Sequence, residues 1–265
     1  MRDFISNHRG PGRLPLLFLF AALLLLWSER PAQALTAQIA PEQIDINLLY
    51  HGGKITVSGA GDATDDFIVK ITAPDGASHL KYKGKAAGIF WMKLGEITFE
   101  HIPALYKVFS SNRLASILNT EALDAYRLGY ASLAKQVEIS AEHMTPDKKR
   151  WFSELVRFKE QDNLYTVQEG TMTRSHTPDK NTFSMEIDWP YQARPGIYTV
   201  EILAVRDGHV VDKKEKFLTV RQSGLVKQLA GLAFDRAALY GVIAVVIALV
   251  SGFAVGAVFK GGGSH

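Results

Sequence analysis

The sequence predicts a mainly β protein: an immunoglobulin-like β-sandwich with a helical insertion, followed by one C-terminal transmembrane helix. Three observations carry this. Short segments of alternating polarity, separated by turn residues, recur between Ile44 and Val220. Apolar residues at helical spacing replace them over about residues 101–163. An uncharged apolar run of 23 residues, Ala237 to Phe259, lies near the end of the chain.

The chain opens as an export signal. Arg2, Arg9 and Arg13 precede an apolar run of 12 residues, Leu16 to Trp27, and Ala32-Gln33-Ala34 supplies small residues at −3 and −1. Cleavage is expected after Ala34. An uncleaved anchor is the alternative, but twelve helical residues reach only about 18 Å across a hydrocarbon core of about 30 Å. Residues 1–34 are read as a signal peptide, 35–222 as a periplasmic domain and 223–236 as a juxtamembrane segment. Residues 237–259 are the span and 260–265 a cytoplasmic tail.

Within the domain, Ile44–Tyr50 and Lys54–Ser58 alternate around the turn His51-Gly52-Gly53. Phe67–Ala73 follows a polar loop and stops at Pro74-Asp75-Gly76. His79–Lys83, Gly88–Lys93 and Ile97–Glu100 read as further strands. After Pro103 the spacing predicts helices over 104–118 and 120–140. A third helix is expected with Thr145 as N-cap and Pro146 at its first position, carrying Trp151, Leu155 and Phe158. Strands return after Leu164. Thr182–Asp188 alternates, and Arg206-Asp207-Gly208-His209 turns Ile197–Val205 back into Val210–Val220. Two separate small β domains are the competing architecture.

Residues 224–236 are compatible with an interfacial helix or with a continuous extension of the span. The span itself reaches about 35 Å as a helix and has no polar face, whereas globular helices rarely run this long without one, which argues against a buried core helix. Arg236 and Lys260 flank its two ends, so orientation rests on the export signal. Ala244, Ala248, Gly252 and Gly256 recur every four residues and form a ridge without large side chains. Such ridges let helix backbones approach, so a helix partner is expected, either a second copy or an integral membrane protein.

Composition excludes several function classes. The chain carries 30 Lys and Arg against 27 Asp and Glu, a net charge of +3, and residues 35–265 come close to balance. That is no nucleic-acid footprint, which needs a concentrated basic surface. With no cysteine, disulfides, thiolate metal sites and cysteine nucleophiles are excluded. No hydrolase, P-loop or zinc-protease motif occurs, and Gly59-Ala60-Gly61 lacks the third glycine of a dinucleotide site. Asp62, Asp65 and Asp66 lack the spacing of a calcium loop and read as a solvated turn. The histidines are scattered. No catalytic residue, metal site or cofactor is expected.

Lys81, Lys83 and Lys85 alternate beside Tyr82, with Trp91 and Lys93 nearby. A row of ammonium groups could attract an anion or anionic lipid heads, though lysines also guard edge strands against aggregation. With Tyr106 and Arg113, the residues Lys81, Lys83 and Trp91 make up the candidate ligand or partner surface.

Three stretches carry a resemblance. Ala87-Gly88-Ile89-Phe90-Trp91 continues to Thr98-Phe99-Glu100-His101-Ile102-Pro103-Ala104-Leu105-Tyr106 and Ser110-Ser111-Asn112-Arg113-Leu114. Pro195-Gly196-Ile197-Tyr198-Thr199-Val200-Glu201 runs on to Arg206-Asp207-Gly208, and Leu239-Tyr240-Gly241 opens the span. In order and spacing these resemble an alphaproteobacterial family of transmembrane proteins with a signal peptide and one C-terminal span. Many members have Arg-Pro after the Ser-Ser, where this chain has Asn112-Arg113-Leu114. Members look like companions of sulfite/sulfonate-exporter-type permeases. The resemblance therefore implies a transport-accessory role in the bacterial inner membrane. A periplasmic enzyme with a site assembled from distant residues, or a structural envelope protein, are the alternatives.

Overall fold

The computed structural model describes residues 34–47, 50–86, 89–141, 146–178 and 180–260. The signal segment before Ala34, the tail after Lys260, and Thr145 with its capping role lie outside these residues.

The body is built on a central six-stranded sheet, buried on both faces at residues 67–71 and 106–110 and partly open to solvent along residues 209–217. Its strands run β2 (Gln43–Ile46), β13 (His209–Gln222), β12 (Gly196–Arg206), β4 (Asp66–Thr72), β7 (Tyr106–Ser110) and β9 (Tyr165–Glu169) in space. Neighbours are antiparallel except the parallel pairs β2–β13 and β7–β9. One face meets an outer sheet ordered β1 (Thr36–Ala40), β3 (Gly53–Asp62), β11 (Lys180–Trp189) and β10 (Thr173–His176). The alternation of a strand sorts the side chains. Phe67, Val69 and Ile71 of β4 and Val200, Ile202 and Ala204 of β12 face Ile55, Val57, Phe183 and Ile187 of the outer sheet. This pair of sheets is the expected sandwich.

The opposite face carries a third layer. Ile68, Val108, Leu203 and Val205 point to a second core with Ile97, Phe99, Ile139, Trp151, Phe152 and Leu155. That layer holds a three-stranded sheet, β5 (Asp75–Ala86), β6 (Phe90–Pro103) and β8 (Glu138–Ala141), with four helices. They are α1 (Leu114–Ile117), α2 (Thr120–Ala125), α3 (Tyr130–Ala134) and α4 (Lys148–Gln161). Because the two cores share the central sheet, the strands make one body, which removes the two-domain alternative.

Residues 104–118 are not the expected helix. They begin with β7, buried along its whole length, and only Leu114–Ile117 is helical. Likewise 120–140 is two short helices, divided at Gly129 with φ 85°, and the strand β8. The third helix starts two residues later than expected, with Asp147 accepting from the Arg150 amide as its N-cap.

Beyond the body, α5 (Gly224–Asp235) and α6 (Ala237–Lys260) are separated by Arg236, whose φ of −138° and ψ of 53° are not helical. The juxtamembrane segment is therefore a helix of its own, not an extension of the span.

Candidate functional site

Two exposed apolar features distinguish this chain, and neither belongs to a core. The first is α6. Ala237–Gly256 is long and apolar enough to cross a membrane, and none of it is buried against the rest of the chain. Ala244, Ala248, Gly252 and Gly256 are all exposed. A side chain added at Gly252 or Gly256 would meet nothing within 4 Å. Glycine within a helix costs about 1 kcal/mol relative to alanine, and no contact among the described residues offsets it.

The second is the hairpin of β5 and β6. Near the body it is anchored. Leu80 and Tyr82 pack on the second core, and the Tyr82 ring lies 5.3 Å from that of Trp151. Glycines let the two strands interlock. A Cβ on Gly95 would stand 2.9 Å from the Tyr82 ring, and one on Gly84 would stand 2.3 Å from Leu94 Cδ1. A bulge at this point brings Lys83 opposite Lys93. Further out, Ile89, Phe90, Met92 and Leu94 are 73%, 71%, 50% and 44% exposed. Strand β8 supports β6 only over Ile97–Glu100.

The expected partner surface divides under this geometry. Lys81 and Lys83 are exposed on β5, an edge strand, on the face away from Tyr82. Arg113 is exposed in the turn after β7. Tyr106 is a correction: it is 1% exposed, and its hydroxyl donates to Arg127 O and accepts from the Gly129 amide. A Tyr in a central strand covered on both sides belongs to the core, so Trp91, Tyr106 and Arg113 do not form one strip. Trp91 pairs with Lys85 in the hairpin backbone; its side chain lies outside the described residues.

A polar concavity sits on the helix-covered face of the central sheet. It measures about 420 Å³ and is lined by Lys70, Tyr106, Tyr126, Arg127, Glu201 and Lys213. Glu201 pairs directly across β4–β12 with Lys70, whose ammonium also donates to Tyr126 O at 2.8 Å. Lys213 bridges Glu201 at 2.6 Å and Glu215 at 2.8 Å, two carboxylates that face each other across β12–β13. Burial alone would raise the Glu201 pKa, but the bonds from Lys213 and Lys70 outweigh it and lower it. The same bonds from Glu201 and Glu215 raise that of Lys213. Arg127 is engaged by Asp75 at 2.6 Å. With each charge matched, this network ties the helical layer to the sheet.

The acidic cluster behaves similarly. Asp65 is buried, not solvated as the sequence suggests; its Oδ1 accepts from Arg206 Nε at 2.9 Å and Nη2 at 2.7 Å. Asp66 accepts from Ser111, Asn112 and Arg174. The Ser110-Ser111-Asn112 turn thus holds the fold together, since Ser111 Oγ also accepts from the Phe67 amide. No group of metal-ligating side chains converges among the described residues. One arrangement approaches a catalytic relay: Thr98 Oγ1 and Glu96 Oε1 lie 3.2 and 3.3 Å from His79 Nδ1. Both meet the same ring nitrogen, whereas a relay needs them on opposite nitrogens.

Sequence reasoning identified the span, and the ridge of small residues, Lys81 and Lys83 that it singled out are exposed, but it missed the exposed apolar end of the hairpin. The signal was present: Ile89-Phe90-Trp91-Met92 is a run of four apolar residues without alternation.

A mainly β body, a single exposed apolar helix and no converging reactive groups among the described residues define a single-pass membrane protein of the anchored-domain class. A family model described as "Putative transmembrane protein (Alph_Pro_TM)" matches residues 34–261. The chain belongs to this family of transmembrane proteins. No curated protein matches the sequence.

Proposed function

We propose that the chain is a non-enzymatic accessory module, exported by a cleaved signal peptide and held at the periplasmic face of the inner membrane by α6. In this reading the tail is cytoplasmic. The Ala244–Ala248–Gly252–Gly256 ridge docks the module on a multi-span protein, and the family resemblance supplies the candidate: a permease of the sulfite/sulfonate-exporter type. One observation carries the docking step. The glycines of the ridge are exposed and pack against nothing among the described residues, which supports a role in close approach to another helix.

The test is purification of the full chain from native membranes in mild detergent. A polytopic protein is expected to copurify, and Gly252→Leu with Gly256→Leu is expected to release it. Copurification that survives both substitutions removes the ridge from the account.

A further inference from the structure

We infer that the projecting end of the β5–β6 hairpin is a lipid-docking element, which rests against an anionic membrane surface. This rests on the membrane span, not on a protein partner.

The apolar end comes first. Ile89 and Phe90 are nearly three-quarters exposed, and Met92 follows at one half. By register Phe90 pairs with Ala86 and Met92 with Gly84, which places them on the face that Tyr82 presents to α4 nearer the body. The apolar face of the ribbon therefore continues past the layer that covers it. Aromatic and aliphatic side chains left this way in water need an apolar counterpart.

Charge selects the counterpart. Between residues 81 and 95 the chain has four lysines and no carboxylate. Lys83 and Lys93 stand directly opposite each other, an arrangement that disfavours the bare hairpin. Lys93 also meets Glu96 at 3.2 Å, a pair that solvent partly screens, and Lys83 lies on the other strand. An anion between the two ammonium groups relieves their repulsion.

The order along the ribbon matches the order across a membrane surface. Phe90 leads and Lys93 follows three residues behind, about 10 Å along a strand. Interfacial elements seat apolar groups roughly 5–10 Å into the headgroup boundary, with lysines reaching the phosphates above. A protein partner would instead need a pocket and carboxylates placed together. A bilayer surface offers both apolar depth and anionic heads together.

The absence of native cysteine allows a direct test in the full chain. Single cysteines at Ile89 and Phe90, and at exposed Ser175 on β10 as reference, are labelled with an environment-sensitive fluorophore. Each protein is reconstituted alone into phosphatidylcholine vesicles, with or without phosphatidylglycerol. With phosphatidylglycerol, the probes at 89 and 90 are expected to shift to the blue and be quenched by brominated lipid, while the probe at 175 stays aqueous. Each lysine near an anionic surface contributes about fivefold to binding. Lys83→Glu with Lys93→Glu should therefore lower the docked-to-free ratio by more than about twentyfold. Circular dichroism and melting of the variant confirm that it is folded. Iodide access at 89 and 90 equal to that at 175 overturns the inference. So does protection that appears only when other membrane proteins are present, or that ignores the lysine substitutions.

Discussion

The backbone nitrogen of Leu35 donates to a carboxylate oxygen of Asp212 at 3.0 Å. Leu35 is 3% exposed and its side chain enters the first core, so the start of β1 is fastened to β13 at this point. Cleavage after Ala34 would turn that amide into a free ammonium facing the same carboxylate. The amide bond to the carboxylate is already charge-assisted, and an ammonium adds an opposite full charge to it. Processing would then tighten the attachment of β1. Asp212→Asn in the processed chain is expected to cost about 1 kcal/mol, a fall in melting temperature of about 2–4 °C. Intact mass fixes the terminus, and a melt of both proteins in detergent checks the loss.

Lys107 predicts the pH dependence of stability. It is 1% exposed, donates to Asn163 at 2.8 Å, and burial pulls its pKa down to about 8 from 10.5. Between these values the unfolded chain binds the additional proton, so stability rises with pH across that window. At about 1.4 kcal/mol per unit the rise is at most about 3 kcal/mol. Above pH 10 the trend reverses, because burial raises the pKa values of Tyr106, Tyr130 and Tyr165 and pushes that of Tyr198 up to about 12. These side chains keep their protons in the folded state after the unfolded chain has lost them. Urea unfolding from pH 7 to 10 should show the rise, and Lys107→Met should flatten it. An equal slope in the variant assigns the effect elsewhere.

Gly59 is required by close approach of backbones. A Cβ there would lie 2.4 Å from Thr36 O and 2.7 Å from the Phe183 ring. Backbone of a paired strand cannot swing aside, so Gly59→Ala should cost about 1–3 kcal/mol and loosen β1. Hydrogen exchange at Thr36–Ala40 together with a melt measures both. Gly76→Ala is the control, since its added methyl would meet nothing within 4 Å.

Lys83→Glu should stabilise the hairpin. It replaces a like-charge pair across the strands by an opposite pair with Lys93, for a gain of about 0.2–1 kcal/mol. The same substitution should weaken membrane docking. Opposite signs in a melt and in vesicle binding separate the folding role of this lysine from its proposed surface role.

The half-buried strands were legible because one side of each faces water. Thr182–Asp188 and Val210–Val220 alternate, and Asp207-Gly208 supplies the turn between β12 and β13 with φ of 50° and 82°. Strand β7 was not legible. A central strand buried on both faces has no period of two, and Lys107 interrupts its apolar run, so Leu105–Phe109 passed for a helix after Pro103. Strand β10 escaped notice because Thr173–His176 is exposed throughout and carries no apolar signal. Glu201 and Lys70 are 131 residues apart in sequence, and only the pairing of β4 with β12 makes them a network. The span was the clearest element, since its uncharged length is itself the physical requirement for crossing a bilayer.

A β body outside the cytoplasm on a single membrane tether is the central proposal, and one labelling experiment is decisive for it. The full chain with one cysteine at Ser175 is expressed in its membrane, and spheroplasts are treated with a membrane-impermeant maleimide. Labelling before lysis is the predicted result, equal in extent to that after lysis. Labelling only after the membrane is broken would put the body on the inner side and contradict the account.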